Sequence, residues 1–120
     1  MRKFDSYYAF LEALEEETGF QVYDERTDED DVVAPYIVCL NDGSDDVKAD
    51  NIRYKKKDDI EVILHSFQTA RHPITREREM ACRKLEDFLD ASGIPYYITP
   101  SFLKEYDLYA DQYSVQVLYG

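Results

Sequence analysis

The 120-residue chain contains 26 acidic and 14 basic residues, which gives a formal net charge of -12. This balance counts against a duplex-binding protein and against docking on anionic membranes, because both depend on Lys and Arg. The hydrophobic fraction is 44%, with 11 Tyr and 6 Phe, which is too high for a disordered chain. We therefore expect one compact, soluble domain over residues 1–120.

Cysteine content and hydropathy indicate an intracellular place of synthesis. Cys39 and Cys82 are too few for a disulfide scaffold, and neither has the spacing of a metal-ligand motif. The N-terminus begins basic but lacks the apolar stretch of a signal peptide, and no apolar run approaches the roughly 18 residues of a transmembrane helix. The sequence predicts no membrane association.

Residues Ser6 to Thr18 have the periodicity of an amphipathic helix. Asp5 or Ser6 can cap its start, and Gly19 can end it. Apolar residues recur at spacings of three and four and define one buried face, made of Tyr7, Phe10, Leu11 and Leu14.

Three strands are predicted before the second helix. Phe20 to Tyr23 alternates, Pro35 to Leu40 is a continuous apolar run, and Ile52 to Phe67 is one long strand or two strands joined by a bulge. An acidic loop, Asp24 to Asp31, separates the first two. In the third strand, alternate residues form a core-facing side made of Ile60, Val62 and Leu64.

A second helix and two strands complete the predicted order. The helix runs from Pro73 to Ser92, and its apolar stripe is Ala81, Leu85, Phe88 and Leu89, with a stop at Gly93. The strands are Ile94 to Thr99 and Tyr113 to Tyr119. The fold class is therefore α+β, a mostly antiparallel sheet of about four to five strands packed against two helices, in the order α-β-β-β-α-β-β.

No catalytic constellation is recognisable. A nucleophile needs a base within reach, and the histidines are His65 in a strand and His72 ahead of the second helix. Cys82 lies on that helix without a glycine-rich elbow, so packing as a small hydrophobe is the favoured reading. No phosphate-binding, dinucleotide, zinc-protease or hydrolase motif occurs. The sequence predicts neither an enzyme nor a cofactor.

The acidic loops and the one basic run leave alternatives open. Asp28 to Asp31 and Asp42 to Asp46 lack the spacing of a calcium loop, so no metal site is predicted and solvated charge is favoured over weak or intersubunit cation binding. Lys55 to Lys57 is a poor nucleic-acid patch, because Asp58 and Asp59 follow it. It suits protection of a strand edge, or ion pairs with acids of a neighbouring subunit.

Five strings of the sequence form a recognisable series of strands, turns and a helix end. They are residues 34–46, residues 49–51, Tyr54 to Lys57, Leu89 to Tyr96 and Tyr113 to Tyr119. The series resembles the tail terminator and head-tail joining proteins of long-tailed, siphovirus-like phages and of prophages of Gram-positive bacteria. That family commonly has a "PPYIVYxxDG" strand and turn, an "ADN" step into a long strand, and a helix that ends before Gly-Ile-Pro-Tyr. The segment Thr99 to Asp111 is long for the family.

The resemblance implies a structural virion protein that acts in assembly. It implies a homo-oligomeric ring, typically a hexamer, at the head-proximal end of the tail tube, where it ends tube growth and joins the tail to the head connector or head-completion protein. DNA would pass through the ring without specific binding. We expect acidic loops to line the lumen or meet a neighbour, because residues 1–60 carry -9 and residues 61–120 carry -3. The candidate lumen or interface residues are Asp42, Asp45, Asp46, Asp50, Lys55 and Lys57.

Two other classes of function remain open at this point. An acidic protein of this size can mimic DNA or cap a basic protein as an inhibitor. Such a mimic should present carboxylates on ordered elements, whereas residues 24–50, mostly predicted loop and turn, already hold ten of the acids. A small adaptor with no phage role is the third class.

Overall fold

The computed structural model describes residues 1–25, 34–43, 57–67 and 76–120. Within these residues the chain forms one sheet of seven strands and two α-helices. The strands are β1 (Lys3–Phe4), β2 (Gln21–Asp24), β3 (Tyr36–Gly43), β4 (Lys57–Phe67), β5 (Tyr96–Thr99), β6 (Phe102–Leu103) and β7 (Leu108–Tyr119), and the helices are α1 (Tyr7–Thr18) and α2 (Arg76–Ala91).

The predicted strand count and order are wrong, although the architecture is a mixed α+β fold. The sheet order is β1-β7-β4-β3-β2, and β5 and β6 also pair with β7. In the described part of the chain, β1 pairs with β7 and β2 pairs with β3 in parallel, and the other four pairs are antiparallel. The missed strands, β1 and β6, have two residues each, which is too short for a periodic pattern.

The predicted ends of α1 agree with the structure. The Ser6 side chain accepts a hydrogen bond from the Ala9 N–H at 3.1 Å, which satisfies one of the unpaired donors at the helix start. Gly19 follows the last turn in the left-handed region, and its N–H donates to the Glu15 carbonyl. The apolar stripe faces inward, and Phe10 and Leu14 are fully buried.

Helix α2 ends in a glycine cap that the sequence also predicts. The Ile94 N–H donates to the Leu89 carbonyl at 2.8 Å, and the Gly93 N–H donates to the Asp90 carbonyl at 3.0 Å. This pair of bonds is a Schellman motif, which needs a residue with positive φ, and Gly93 has φ +68°. The predicted stripe of α2 is buried in the core.

The core lies between the helices and one face of the sheet. Strands β4 and β7 pair over eleven positions, from Lys57 opposite Leu118 to Phe67 opposite Leu108. Alternation sends Ile60, Val62 and Leu64 to the helix side, opposite Val115 and its neighbours on β7. We call the opposite side of the sheet the second face, to which Asp59, Glu61 and His65 belong by the same alternation.

Candidate interaction surface

Strands β5 and β6 and the turn after them form a hairpin with β7 at one edge of the sheet, and we call its residues 97–107 the arm. Strand β6 continues β5 along β7, with Phe102 opposite Tyr109 and Leu103 opposite Leu108. The Ala110 N–H donates to the Ser101 carbonyl at 2.8 Å between the two paired stretches. A single 3-10 turn, Lys104–Tyr106, then reverses the chain into β7.

Every residue of the arm is exposed, including its large apolar side chains. The exposed fraction is 82% for Tyr97 and 68% for Tyr106, and it is about 40% for Ile98, Phe102 and Leu103. By strand alternation, Ile98 and Phe102 lie on the helix side of the sheet edge, and Tyr97 and Leu103 lie on the second face. Single exposed apolar residues are ordinary on a protein surface, but several large ones within one short segment mark a candidate interaction site. The arm is therefore the strongest candidate contact surface among the described residues.

The base of the arm is fixed to helix α2 through Tyr109. The ring centres of Phe102 and Tyr109 lie 4.8 Å apart. Tyr109 also contacts Arg78, whose guanidinium carbon lies 4.0 Å from the centre of the Tyr109 ring. Arg78 in turn binds the Asp111 carboxylate through two hydrogen bonds, of 2.6 and 2.9 Å. The arm is thus carried on a base that is held against the core, which reduces the entropy lost on binding.

The structure describes two of the six predicted lumen or interface residues. Asp42 is exposed near the end of β3, and Lys57 is half-buried at the start of β4, a strand that lies between β3 and β7. The other four predictions, Asp45, Asp46, Asp50 and Lys55, lie outside the described residues.

Asp42 belongs to a cluster of three carboxylates on the second face, with Asp59 and Glu61, which the sequence analysis did not predict. We call this cluster the carboxylate group. Partial desolvation, then the charge and hydrogen bond of Glu61, and then the charge of Asp59 raise the pKa of Asp42 above 3.8. Glu61 accepts hydrogen bonds from Gln112 at 2.8 Å and from Ser114 at 2.7 Å. The alternation of Asp59 and Glu61 along β4 was the available signal for this group.

This carboxylate group does not carry a metal site by itself. Two of its members, Glu61 and Asp59, accept hydrogen bonds from amide and hydroxyl groups of β7. Over the described ranges, no group of three or more His, Cys, Asp or Glu residues is arranged to hold a metal ion. What the group supplies is a negative field on the second face.

The described candidates for nucleophilic chemistry are in unsuitable surroundings. Burial, with Asp111 nearby, raises the pKa of the Cys82 thiol to about 11, and burial also raises the pKa of Cys39. Burial lowers the pKa of His65, which is stacked on Tyr36 with ring centres 4.5 Å apart. His72 lies outside the described residues. Cys82 is thus held as a thiol rather than as the thiolate that attacks.

The arm itself was missed at the level of sequence. The segment Thr99 to Asp111 is long for the family, but Phe102, Leu103 and Tyr106 within it form no amphipathic period, so no strand is predicted there. Large apolar residues in a segment between two predicted strands were the one signal that could have identified it.

Comparison with known proteins does not identify a family. The chain matches no protein-family model and no curated protein. In the described part of the chain, no helix is both long and apolar enough to cross a membrane.

Proposed function

We propose that this protein is a phage tail terminator, a structural subunit that forms a ring at the head-proximal end of the tail tube. The ring ends tube growth and receives the head connector or head-completion protein. In this role the protein assembles and has no catalytic turnover. The observation that carries the proposal is the exposed apolar arm, and the strand and turn strings of the sequence supply its phage context.

The arm has the chemistry of a subunit contact. Aromatic side chains are enriched at the centres of protein interfaces, and Tyr97, Phe102 and Tyr106 are all exposed on it. An aromatic side chain buries on the order of 150–250 Å². Tyr97 and Tyr106, the most exposed of the three, can therefore supply part of the roughly 800 Å² that each partner contributes to a standard interface. A second copy of the chain is the partner that a homo-oligomeric ring requires.

Charge sets the conditions under which the ring forms. Each copy carries -12, so copies repel one another at low ionic strength. Salt screens this repulsion over a Debye length of about 10 Å at 0.1 M, whereas the apolar contact of the arm is not weakened by screening. The free protein should therefore be monomeric at low salt and assemble as salt rises. The same field would repel DNA in the channel and keep it from sticking.

The test is the mass of the purified full chain at low and high NaCl, by sedimentation velocity, with negative-stain images of the same samples. We expect monomers at low salt and closed rings of one mass at high salt, bound to the ends of purified tail tubes when these are added. Monomers at every salt concentration, with and without tubes, would overturn the proposal. A stable ring in low-salt buffer with chelator would overturn the electrostatic part.

A matched pair of variants tests whether the arm makes the contact. The variant Tyr106→Asp places one charge in the exposed apolar surface of the arm and should abolish assembly. The control is Tyr8→Asp on α1, because Tyr8 is 62% exposed and lies outside the arm. Equal assembly of both variants would exclude the arm as the contact.

The alternative function, an acidic inhibitor that mimics DNA, depends on carboxylates displayed on ordered elements. Helix α1 does expose four glutamates, at positions 12, 15, 16 and 17. However, Glu17 is paired with Arg2 at 2.9 Å, and Glu15 accepts a hydrogen bond from the Val22 N–H at 3.0 Å. Because half of this row is engaged within the fold, the ring remains the favoured function.

A further inference from the structure

An apolar groove lies beside α2, towards the edge of the sheet formed by β3 and β2. Its volume is about 300 Å³. Met80, which is 61% exposed, lies on its wall, and Lys84 lies at its rim with Nζ 5.7 Å from the centre of the Phe20 ring. The full lining consists of Phe20, Pro35, Glu77, Met80, Ala81 and Lys84.

The arm and the groove lie at the same end of the sheet but at opposite edges. Pro35 and Phe20 directly precede β3 and β2, and Tyr36 at the start of β3 pairs with His65. His65 pairs with Ala110, which is two residues from the start of β7 where the arm ends. In the strand order β7-β4-β3-β2, the arm is therefore on the β7 side and the groove is on the β3 and β2 side.

We propose that the arm of one copy docks into the groove of the next copy, with the Tyr106 ring in the cavity beside Met80 and Phe20. This inference rests on the proposed ring, and it names the two surfaces that meet in it. Contact between two different surfaces is heterologous, and repeated copies close into a ring when each step adds rotation without rise. The two surfaces lie at one level along the strands and at opposite edges, so one copy can present its arm to the groove of the next copy.

Size and charge support this pairing. A cavity of about 150 Å³ is enough for a benzene molecule, so the groove can hold a tyrosine ring with room for its rim contacts. Tyr106 lies between Lys104 and Glu105 on one side and Asp107 on the other, all of them exposed. The groove offers Lys84 to the arm carboxylates and Glu77 to Lys104. Methionine sulfur against an aromatic ring adds a favourable contact.

Disulfide trapping tests the pairing directly. The variant Tyr106→Cys with Met80→Cys, under the salt conditions in which the wild-type chain assembles, should give a ladder of linked copies on a non-reducing gel. The control is Tyr106→Cys with Tyr8→Cys, and Tyr106→Cys alone reports any linkage to the native cysteines. The thermal midpoint of each variant verifies that it is folded.

The outcomes separate this inference from the proposed function. A ladder from the Met80 pair alone supports the docking. Wild-type rings without that ladder, or with an equal ladder from the Tyr8 control, overturn the docking and leave the ring in place. If the wild-type chain forms no ring at any salt concentration or on tail tubes, the proposed function itself is overturned.

A charge exchange gives an independent measurement. Lys84→Glu should raise the protein concentration needed for half-assembly about tenfold, because it faces Glu105 and Asp107 across the contact. Adding Glu105→Lys to this variant should restore most of the loss. Adding Glu12→Lys on α1 to Lys84→Glu, in place of Glu105→Lys, restores the same net charge without touching the contact and should not restore assembly. Loss without restoration would overturn the predicted pairing.

Discussion

Arg78 and Asp111, which are 33 residues apart, form a two-bond ion pair at the junction of helix α2 and strand β7. Arg78 Nε lies 2.9 Å from Oδ2, and Nη2 lies 2.6 Å from Oδ1. The Asp111 side chain is 1% exposed, while Arg78 is 32% exposed. The carboxylate is therefore buried in the fold with a planar cation that matches its two oxygens.

Removing the arginine should strongly destabilise the fold. Arg78→Met keeps an apolar stem but leaves the Asp111 charge buried without its cation. Breaking a buried pair in this way lowers the free energy of unfolding by about 3–5 kcal/mol, and the partial exposure of Arg78 places the expected loss near the lower end. Urea unfolding measures this free energy. Arg83→Met is the control, because Arg83 pairs with Glu79 at the surface and should cost less than about 0.5 kcal/mol. Equal losses would contradict this account.

Gly93→Ala should cost more stability than Gly19→Ala. Both glycines have positive φ, +68° and +79°, which a side chain adopts at a cost of about 1–2 kcal/mol. A Cβ at Gly93 would lie 3.2 Å from the Met1 Cα, whereas one at Gly19 would meet no atom within 4 Å. Thermal melts of the two variants give the comparison. An equal fall in both melting temperatures would contradict this prediction, because it would mean that Met1 moves away from the new Cβ at no cost.

Asp42→Asn should stabilise the protein at neutral pH and lose this effect in acid. The raised pKa of Asp42 means that its folded form binds a proton more tightly than its unfolded form. Protonation of Asp42 therefore favours the folded state. This contribution to the free energy of unfolding is complete below pH 3.8, the ordinary pKa, and is lost as the pH rises through the folded pKa. At neutral pH the wild-type carboxylate is partly desolvated and repels Glu61 and Asp59, and the neutral amide avoids both costs.

Melting temperatures measured against pH provide the test of Asp42. The curves of wild type and Asp42→Asn should converge as the pH falls towards 3.8. Glu12→Gln, a change on the exposed side of α1, controls for the general effect of removing one negative charge. A constant offset between the Asp42→Asn and wild-type curves would refute the repulsion.

Cys82 should resist alkylation in the native protein. A pKa raised from 9.0 to about 11 lowers the thiolate fraction at neutral pH about 100-fold. Iodoacetamide labelling, followed by mass spectrometry, should therefore be slow until urea unfolds the chain. The variant Cys82→Ser separates the signal of Cys82 from that of Cys39. Native labelling at the rate of the unfolded chain would contradict the burial of this thiol.

The sequence by itself determined both ends of α1, the end of α2 and the faces of the long strands, whereas the predicted start of α2 at Pro73 lies outside the described residues. Ser6, Gly19 and Gly93 act within a few residues of the helix ends that they define, and alternation in β4 and β7 depends on neighbouring residues alone. Such signals are local, so they can be read without knowing the partner of any strand.

Tertiary structure alone decided the strand count, the strand order and the exposure of the arm. Phe102–Leu103 is a strand only because β7 lies beside it, and two residues carry no period. The same holds for the meeting of Asp42 with Glu61, and of Arg78 with Asp111, since each pair joins different elements. Pairing between distant segments is chosen by the free energy of the whole fold, and no local pattern of residues encodes it.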